Sequence, residues 1–144
     1  MTRRNLWLLV LASAAAYFAA AYWLKLSYDP KRYEPSPKVA GTKILLQRPF
    51  REFLDSGFAV VSTDRLFGAL ADTADDNFRS PIQLYEDDKP LGPAHSTHTD
   101  IGKVGRGSYS HWRYNYSIFL FSSSDNTDPR TNGRNYWAVK PEAR

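Results

Sequence analysis

The residues of this chain best suited to chemistry are its three histidines, His95, His98 and His111. Imidazole titrates near neutral pH and is the commonest nitrogen ligand for transition metals. The run His95-Ser96-Thr97-His98, completed by His111 or Asp100, therefore offers a ligand set on paper. It lacks the helical His-Glu-x-x-His arrangement of metalloproteases, and histidines in loops more often bond to the loop itself. Ser110 precedes His111, but neighbours in sequence do not make a nucleophile and its base. No Gly-x-Ser-x-Gly elbow, Walker loop or Gly-x-Gly-x-x-Gly fingerprint occurs, and Gly105-Arg106-Gly107 is too short to cradle a phosphate. The chain has no cysteine, which excludes disulfides, thiolate metal sites, iron–sulfur clusters and cysteine nucleophiles. These observations predict a non-enzymatic protein with no catalytic residues, cofactor or bound metal.

A second polar constellation is Asp125-Asn126-Thr127-Asp128-Pro129, followed by Arg130, Asn132, Gly133 and Arg134. Together with His111 and Trp112, its acids, amides and guanidiniums are the right types to hold a sugar by hydrogen bonds and ring stacking. The same residue types equally serve a loop that satisfies its own backbone, with Arg130 and Arg134 bridging the acids. An EF-hand is excluded, because counting from Asp125 puts Pro129 where the fifth position needs an oxygen ligand. The candidate ligand or interface set is thus His111, Trp112, Asp125, Asn126, Asp128, Arg130, Asn132 and Arg134.

Those residues lie in a stretch with distinctive wording. Ser80-Pro-Ile-Gln-Leu-Tyr-Glu-Asp-Asp-Lys-Pro-Leu-Gly-Pro-Ala-His-Ser96 leads to Gly105-Arg-Gly-Ser-Tyr-Ser-His-Trp112, and then to Phe121-Ser-Ser-Ser-Asp-Asn-Thr-Asp-Pro-Arg-Thr-Asn-Gly-Arg134. This resembles an uncharacterised bacterial domain with the signature LYEDGKPLGPAHS…SHW…FSSSDNSDPRTNGR, found near glycosyltransferases and methyltransferases of surface-polysaccharide systems. The resemblance implies a bacterial protein of envelope polysaccharide metabolism and supplies no catalytic assignment. Asp88 departs from it, standing where the signature has glycine, so the hairpin turn becomes Asp87-Asp88.

The elements that must position these residues are short. Lys43–Gln47, Gly57–Ser62, Pro81–Glu86, Tyr114–Ser122 and Asn135–Lys140 are rich in branched and aromatic residues and separated by turn residues, as strands are. Thr63–Asp72 has an N-cap and apolar residues at helical spacing, which predicts one short helix, and Arg51–Leu54 can add another turn.

Upstream, Leu6–Leu24 carries no charge, proline or glycine, with Trp7, Tyr22 and Trp23 near its ends. As a helix of 1.5 Å rise it would be about 28 Å long, close to a bilayer's hydrocarbon core. The expected fold is therefore a single N-terminal transmembrane helix (1–26), a Pro/Tyr-rich spacer (27–41) and a small mainly-β, α+β domain (42–144), sandwich-like with one short helix. Ala12, Ala15, Ala16, Ala19 and Ala20 would then allow close helix packing in lipid. Arg3 and Arg4 resemble the n-region of a secretory signal, but the apolar core is longer than a usual h-region, which favours an uncleaved anchor in a bacterial inner membrane. The short basic N-terminus favours a periplasmic domain, against the count of Lys25, Lys31, Arg32 and Lys38 after the run.

Nineteen Lys and Arg against fifteen acids give a net charge of +4 without a basic cluster, which argues against nucleic acid as a partner. The first functional expectation is a non-catalytic single-pass accessory subunit of a larger membrane complex, respiratory or photosynthetic, with that complex and the bilayer as partners. The alternative is a membrane-tethered carbohydrate-binding module with a glycan as partner.

Overall fold

The computed structural model describes residues 3–27, 36–53 and 57–142. The chain divides into two compact units, Met1–Glu34 and Pro35–Arg144. Most of the expected spacer, residues 28–35, lies outside the described residues, as does Leu54.

The first unit contains helix α1 (Arg3–Ser27). Here the expected fold is corrected: among the described residues no helix is long and apolar enough to cross a membrane. The reason lies in composition. Between Leu6 and Leu24 seven residues are alanine, and Ser13, Tyr17, Tyr22, Trp7 and Trp23 dilute the run further. The helix as folded also takes in Arg3, Arg4 and Lys25. Ala12, Ala15, Ala16, Ala19 and Ala20 are exposed along it, and without a membrane span their packing role in lipid loses its premise.

The second unit holds two four-stranded sheets, antiparallel throughout. The first has the order β1 (Thr42–Leu45), β8 (Tyr136–Lys140), β4 (Gln83–Glu86), β5 (Lys89–Pro90). The second runs β2 (Arg51–Glu52), β3 (Val60–Ser62), β7 (Ser117–Phe121), β6 (Tyr109–Arg113). Inward residues of both sheets share one core. Leu84, Tyr136 and Ala138 from the first meet Val60, Tyr109, Phe119 and Phe121 from the second, with Phe50 closing one side. Phe50 meets Phe121 edge-on at 5.2 Å and Tyr136 edge-on at 5.7 Å, the geometry that ring quadrupoles favour. Tyr109 reaches a partner from inside this core by donating to the Ile82 carbonyl at 3.0 Å, and burial pushes its phenol up to about 12.

The expected helix over 63–72 is only a single 3-10 turn, Gly68–Leu70. Phe67 ahead of it has φ +54°, a left-handed conformation that an α-helix cannot continue through. Among the described residues of the domain the α-helix is instead α2 (His98–Lys103), absent from the sequence expectation. Thr97 caps it, its hydroxyl oxygen accepting from Asp100 N–H at 3.1 Å while the hydroxyl donates to the Asp100 carboxylate at 2.6 Å. Gly105, at φ +69°, ends the turn by donating to the Asp100 carbonyl at 3.0 Å. α2 lies on the face of the second sheet away from the main core, where Ile101 packs with Ala59 and Leu120.

Strand period decides what β6 presents to each side. Tyr109 belongs to the main core and His111 stacks on core Phe119, whereas Ser110 and Trp112 share the opposite face. At the turn between β4 and β5, Asp87 takes φ +53°. The left-handed position is thus Asp87, which the signature shares, and not Asp88, where the signature has glycine.

Candidate functional site

One cleft gathers most of the chemically capable side chains. About 260 Å³ in volume, it is lined by Asp72, Asn77, His95, His98, Ser110 and Trp112, together with Tyr114. That is just below the roughly 300–1,000 Å³ of pockets for drug-sized ligands, so it suits one small ring.

The edge of β6 builds it. Asp72 is stapled there by its own backbone, its N–H donating to the His111 carbonyl at 2.8 Å and its carbonyl accepting from Arg113 N–H at 2.9 Å. On the same edge Ser96 N–H donates to the Tyr109 carbonyl at 3.0 Å, and Tyr109 N–H donates to the Pro93 carbonyl at 3.1 Å. Two separate loops are thereby pinned beside Tyr109–Arg113, one bringing a carboxylate and the other an imidazole.

Asp72 is 1% exposed, and a carboxylate so buried must have its charge met. Oδ1 accepts from Ser80 N–H at 2.7 Å, and Oδ2 accepts from His95 Nδ1–H at 2.6 Å. Donation from Nδ1 leaves His95 Nε2 as the ring's free acceptor. The His95 ring is one-fifth exposed, lies against Phe78 at 5.2 Å, and is carried on a backbone at φ +54°. A non-glycine residue held in that region stores strain, and such strain gathers where a side chain must be aimed.

Behind the cleft, Ser80 Oγ lies 2.7 Å from His111 Nδ1, within a hydrogen bond whose direction follows the tautomer. His111 is 1% exposed and stacked flat on Phe119 at 4.2 Å. Burial is the main force lowering its pKa to about 4, with a lesser push from His95; the Leu66 carbonyl and the Asp72 charge oppose it. His111 is therefore a neutral core residue that braces Ser80, and through Ser80 the carboxylate.

The walls are aromatic. Trp112, half-buried, meets the His98 ring edge-on at 6.1 Å and the Tyr114 ring at 6.3 Å. Tyr114 is 65% exposed. Partial burial lowers the pKa of His98, so its ring also favours the neutral form.

The Asp125–Arg134 loop sits elsewhere. Asp125 follows Phe121, which pairs with Tyr109 at one end of the β6–β7 hairpin, whereas Trp112 pairs with Ile118 near the other. Among the candidate residues, then, His111 and Trp112 belong to the cleft region, and Asp125, Asn126, Asp128, Arg130, Asn132 and Arg134 to the opposite end.

There the polar groups are taken up by one another. Asp125 accepts from Arg134 Nη2 at 2.5 Å and from the Thr127 hydroxyl at 2.7 Å, which holds its carboxyl well below the usual range. Arg134 also donates to buried Glu86 at 3.1 Å, and these carboxylates push its own pKa up. Glu86 further accepts from the Tyr136 hydroxyl at 2.9 Å and from the Ser124 hydroxyl. Burial, with the Glu86 charge adding to it, drives the Tyr136 pKa upward. Asn126 accepts from Arg106 N–H at 2.6 Å and donates to the Val104 carbonyl at 3.0 Å. Asp128 accepts from Arg130, which lowers its pKa, and Arg130 reaches on to Glu52 at 3.0 Å. Asn132 donates to the Thr127 and Tyr136 hydroxyls at 3.1 and 2.8 Å.

His95 and His98 share the cleft while His111 stands behind it. Among the described residues no group of three or more His, Cys, Asp or Glu is placed to hold a metal ion. Asp72 and Ser80, which orient the site, were not among the expected site residues. Their only sequence signal was polar side chains bordering short apolar runs.

No protein-family model matches the chain, and no curated protein or solved structure matches it.

Proposed function

We propose that the β domain is a carbohydrate-binding module that holds a single sugar ring in the Asp72–His95–Trp112 cleft. The observation that carries this reading is the pairing of a half-buried indole with an imidazole fixed by a buried carboxylate, His95 Nδ1 to Asp72 Oδ2 at 2.6 Å. A sugar needs both: an apolar ring face for its C–H groups and fixed polar groups for its hydroxyls. Trp112 and Tyr114 provide the first, and His95 Nε2 accepts from a hydroxyl as the second. The resemblance to a domain found beside surface-polysaccharide enzymes points to bacterial envelope saccharides as ligands. The accessory-subunit expectation drew on the alanine-rich span, the aromatic spacer and the lack of a catalytic set, and it loses the single-pass anchor with the transmembrane helix.

A glycan array of bacterial envelope saccharides, probed with the intact chain and with Trp112→Ala, tests the proposal. Binding that falls about tenfold or more in the variant, the equivalent of ~1.4 kcal/mol, is the expected result. Binding unaffected by Trp112→Ala refutes the assignment of this cleft.

A further inference from the structure

Tyr114 follows directly on β6, where the chain turns towards β7, and its N–H donates to the Tyr116 carbonyl at 3.2 Å. It lines the cleft and yet is 65% exposed, whereas Trp112 beside it is half-buried. The two ring centres are 6.3 Å apart, and their planes stand at 62° to each other. The His98 ring holds that corner together. It meets the indole edge-on at 6.1 Å and the Tyr114 ring at 6.5 Å, and Phe53 lies edge-on against it at 5.5 Å. Since His98 opens α2, the angle between the indole and the phenol is set by two elements of the fold rather than by one loop.

A pyranose stacks on an aromatic ring through one flat face, whose C–H groups point into the π cloud. A sugar laid along the Trp112 indole is inclined by that same 62° to the Tyr114 ring, so a single flat face cannot stack on both. The cleft itself has room for one small ring. The exposed face of Tyr114 is therefore left over once the cleft is filled. Glycosidic torsions turn neighbouring rings of a glycan out of one another's plane, which is what two platforms at an angle require.

We infer that Tyr114 is the platform of a second sugar subsite, so that the ligand is a glycan of two or more residues with one ring in the cleft and the next on Tyr114. This inference rests on the carbohydrate reading above and extends it from a single ring to a chain. The physical gain is in affinity. The second ring adds its stacking contact without a second loss of translational and rotational freedom, because the first ring has already met that cost. Trp112 serves the ring that every ligand shares, and Tyr114 serves only ligands that continue beyond it.

The test uses the intact chain. The probes are methyl glycosides of glucose, galactose, mannose, rhamnose and N-acetylglucosamine, together with the matching homo-disaccharides, and affinities are read by NMR shift titration. The wild type is expected to bind a disaccharide at least about fivefold more tightly than the methyl glycoside of the same sugar. Tyr114→Ala should remove that advantage while leaving methyl glycoside affinity within about twofold of the wild type, which also shows that the cleft is still formed. Tyr114→Phe keeps the ring and should keep the advantage. Trp112→Ala should weaken both kinds of probe. Equal affinity of the wild type for the two kinds of probe, or an advantage that survives Tyr114→Ala, overturns the second subsite and leaves the single-ring reading intact. Equal weakening of both kinds by Tyr114→Ala also overturns it, since Tyr114 would then serve the ring in the cleft. A chain that binds none of these sugars overturns both readings.

Discussion

The His111 imidazole makes the stability of the domain depend on pH in a way that can be worked out from its surroundings. In an unfolded chain His111 takes up a proton near pH 6.5, whereas in the fold it does so only near 4, chiefly because it is buried. Between those values the unfolded state binds more protons than the folded one, so stability rises with pH through this window and is lost as pH falls. At pH 5 the unfolded imidazole is almost fully protonated and the folded one almost entirely neutral. The difference is about 2 kcal/mol relative to pH 7.5, approaching about 3 kcal/mol near pH 4. For a domain of this size 2 kcal/mol lowers the melting temperature by on the order of 10 °C. Urea unfolding of the wild type and of His111→Phe at several pH values from 7.5 to 4.5 isolates the effect. Phenylalanine keeps the stack on Phe119 but cannot titrate, and its loss of the Ser80 hydrogen bond costs about 1 kcal/mol at neutral pH. The wild type should therefore lose about 2 kcal/mol more than the variant on going to pH 5. Parallel pH dependences in the two proteins would refute the assignment of His111 as the buried neutral group.

Three further outcomes follow from the same geometry. Arg134→Ala removes the cation paired with buried Glu86 and with Asp125, and is expected to cost about 1–3 kcal/mol in urea unfolding, between the values for exposed and buried pairs because Arg134 is one-third exposed. Gly105→Ala places a methyl against the Asn126 carboxamide at a backbone φ of +69°; since Asn126 then loses its bonds to Arg106 and Val104, a destabilisation of about 2 kcal/mol should appear in thermal melts. Thr97→Ala deletes the cap of α2 and should cost about 1 kcal/mol, with amide exchange accelerated over His98–Lys103 ahead of the sheets.

Strand positions were the most legible part of the sequence. Lys43–Gln47, Pro81–Glu86 and Asn135–Lys140 each overlap a strand of the first sheet, because β-branched and aromatic enrichment reports a half-buried pleated surface. β6 is hard to see in the sequence because Ser110, His111 and Arg113 dilute its apolar signal; its edge position comes from pairing with β7, a nonlocal fact. The helix expected at 63–72 failed on one backbone angle at Phe67, whereas α2 was hidden by its length and its polar sequence. The apolar run Leu6–Leu24 has the length and lack of charge of a membrane span, but alanine, tyrosine and serine add little to the apolar character that a span requires. As for the site, Trp112 and His111 could be picked out by residue type. Asp72 could not, since its role comes from two loops meeting on the edge of β6.

The central claim is that function resides in the Asp72–His95–Trp112 cleft and not in the Asp125–Arg134 loop. A ¹H–¹⁵N NMR titration of the chain with a saccharide that binds on the array tests this most directly. The largest shifts are expected on Asn77, His95, His98, Ser110 and Trp112, including the indole N–H. Shifts concentrated on Asp125, Asn126, Arg130 and Arg134, with the cleft unmoved, would contradict it.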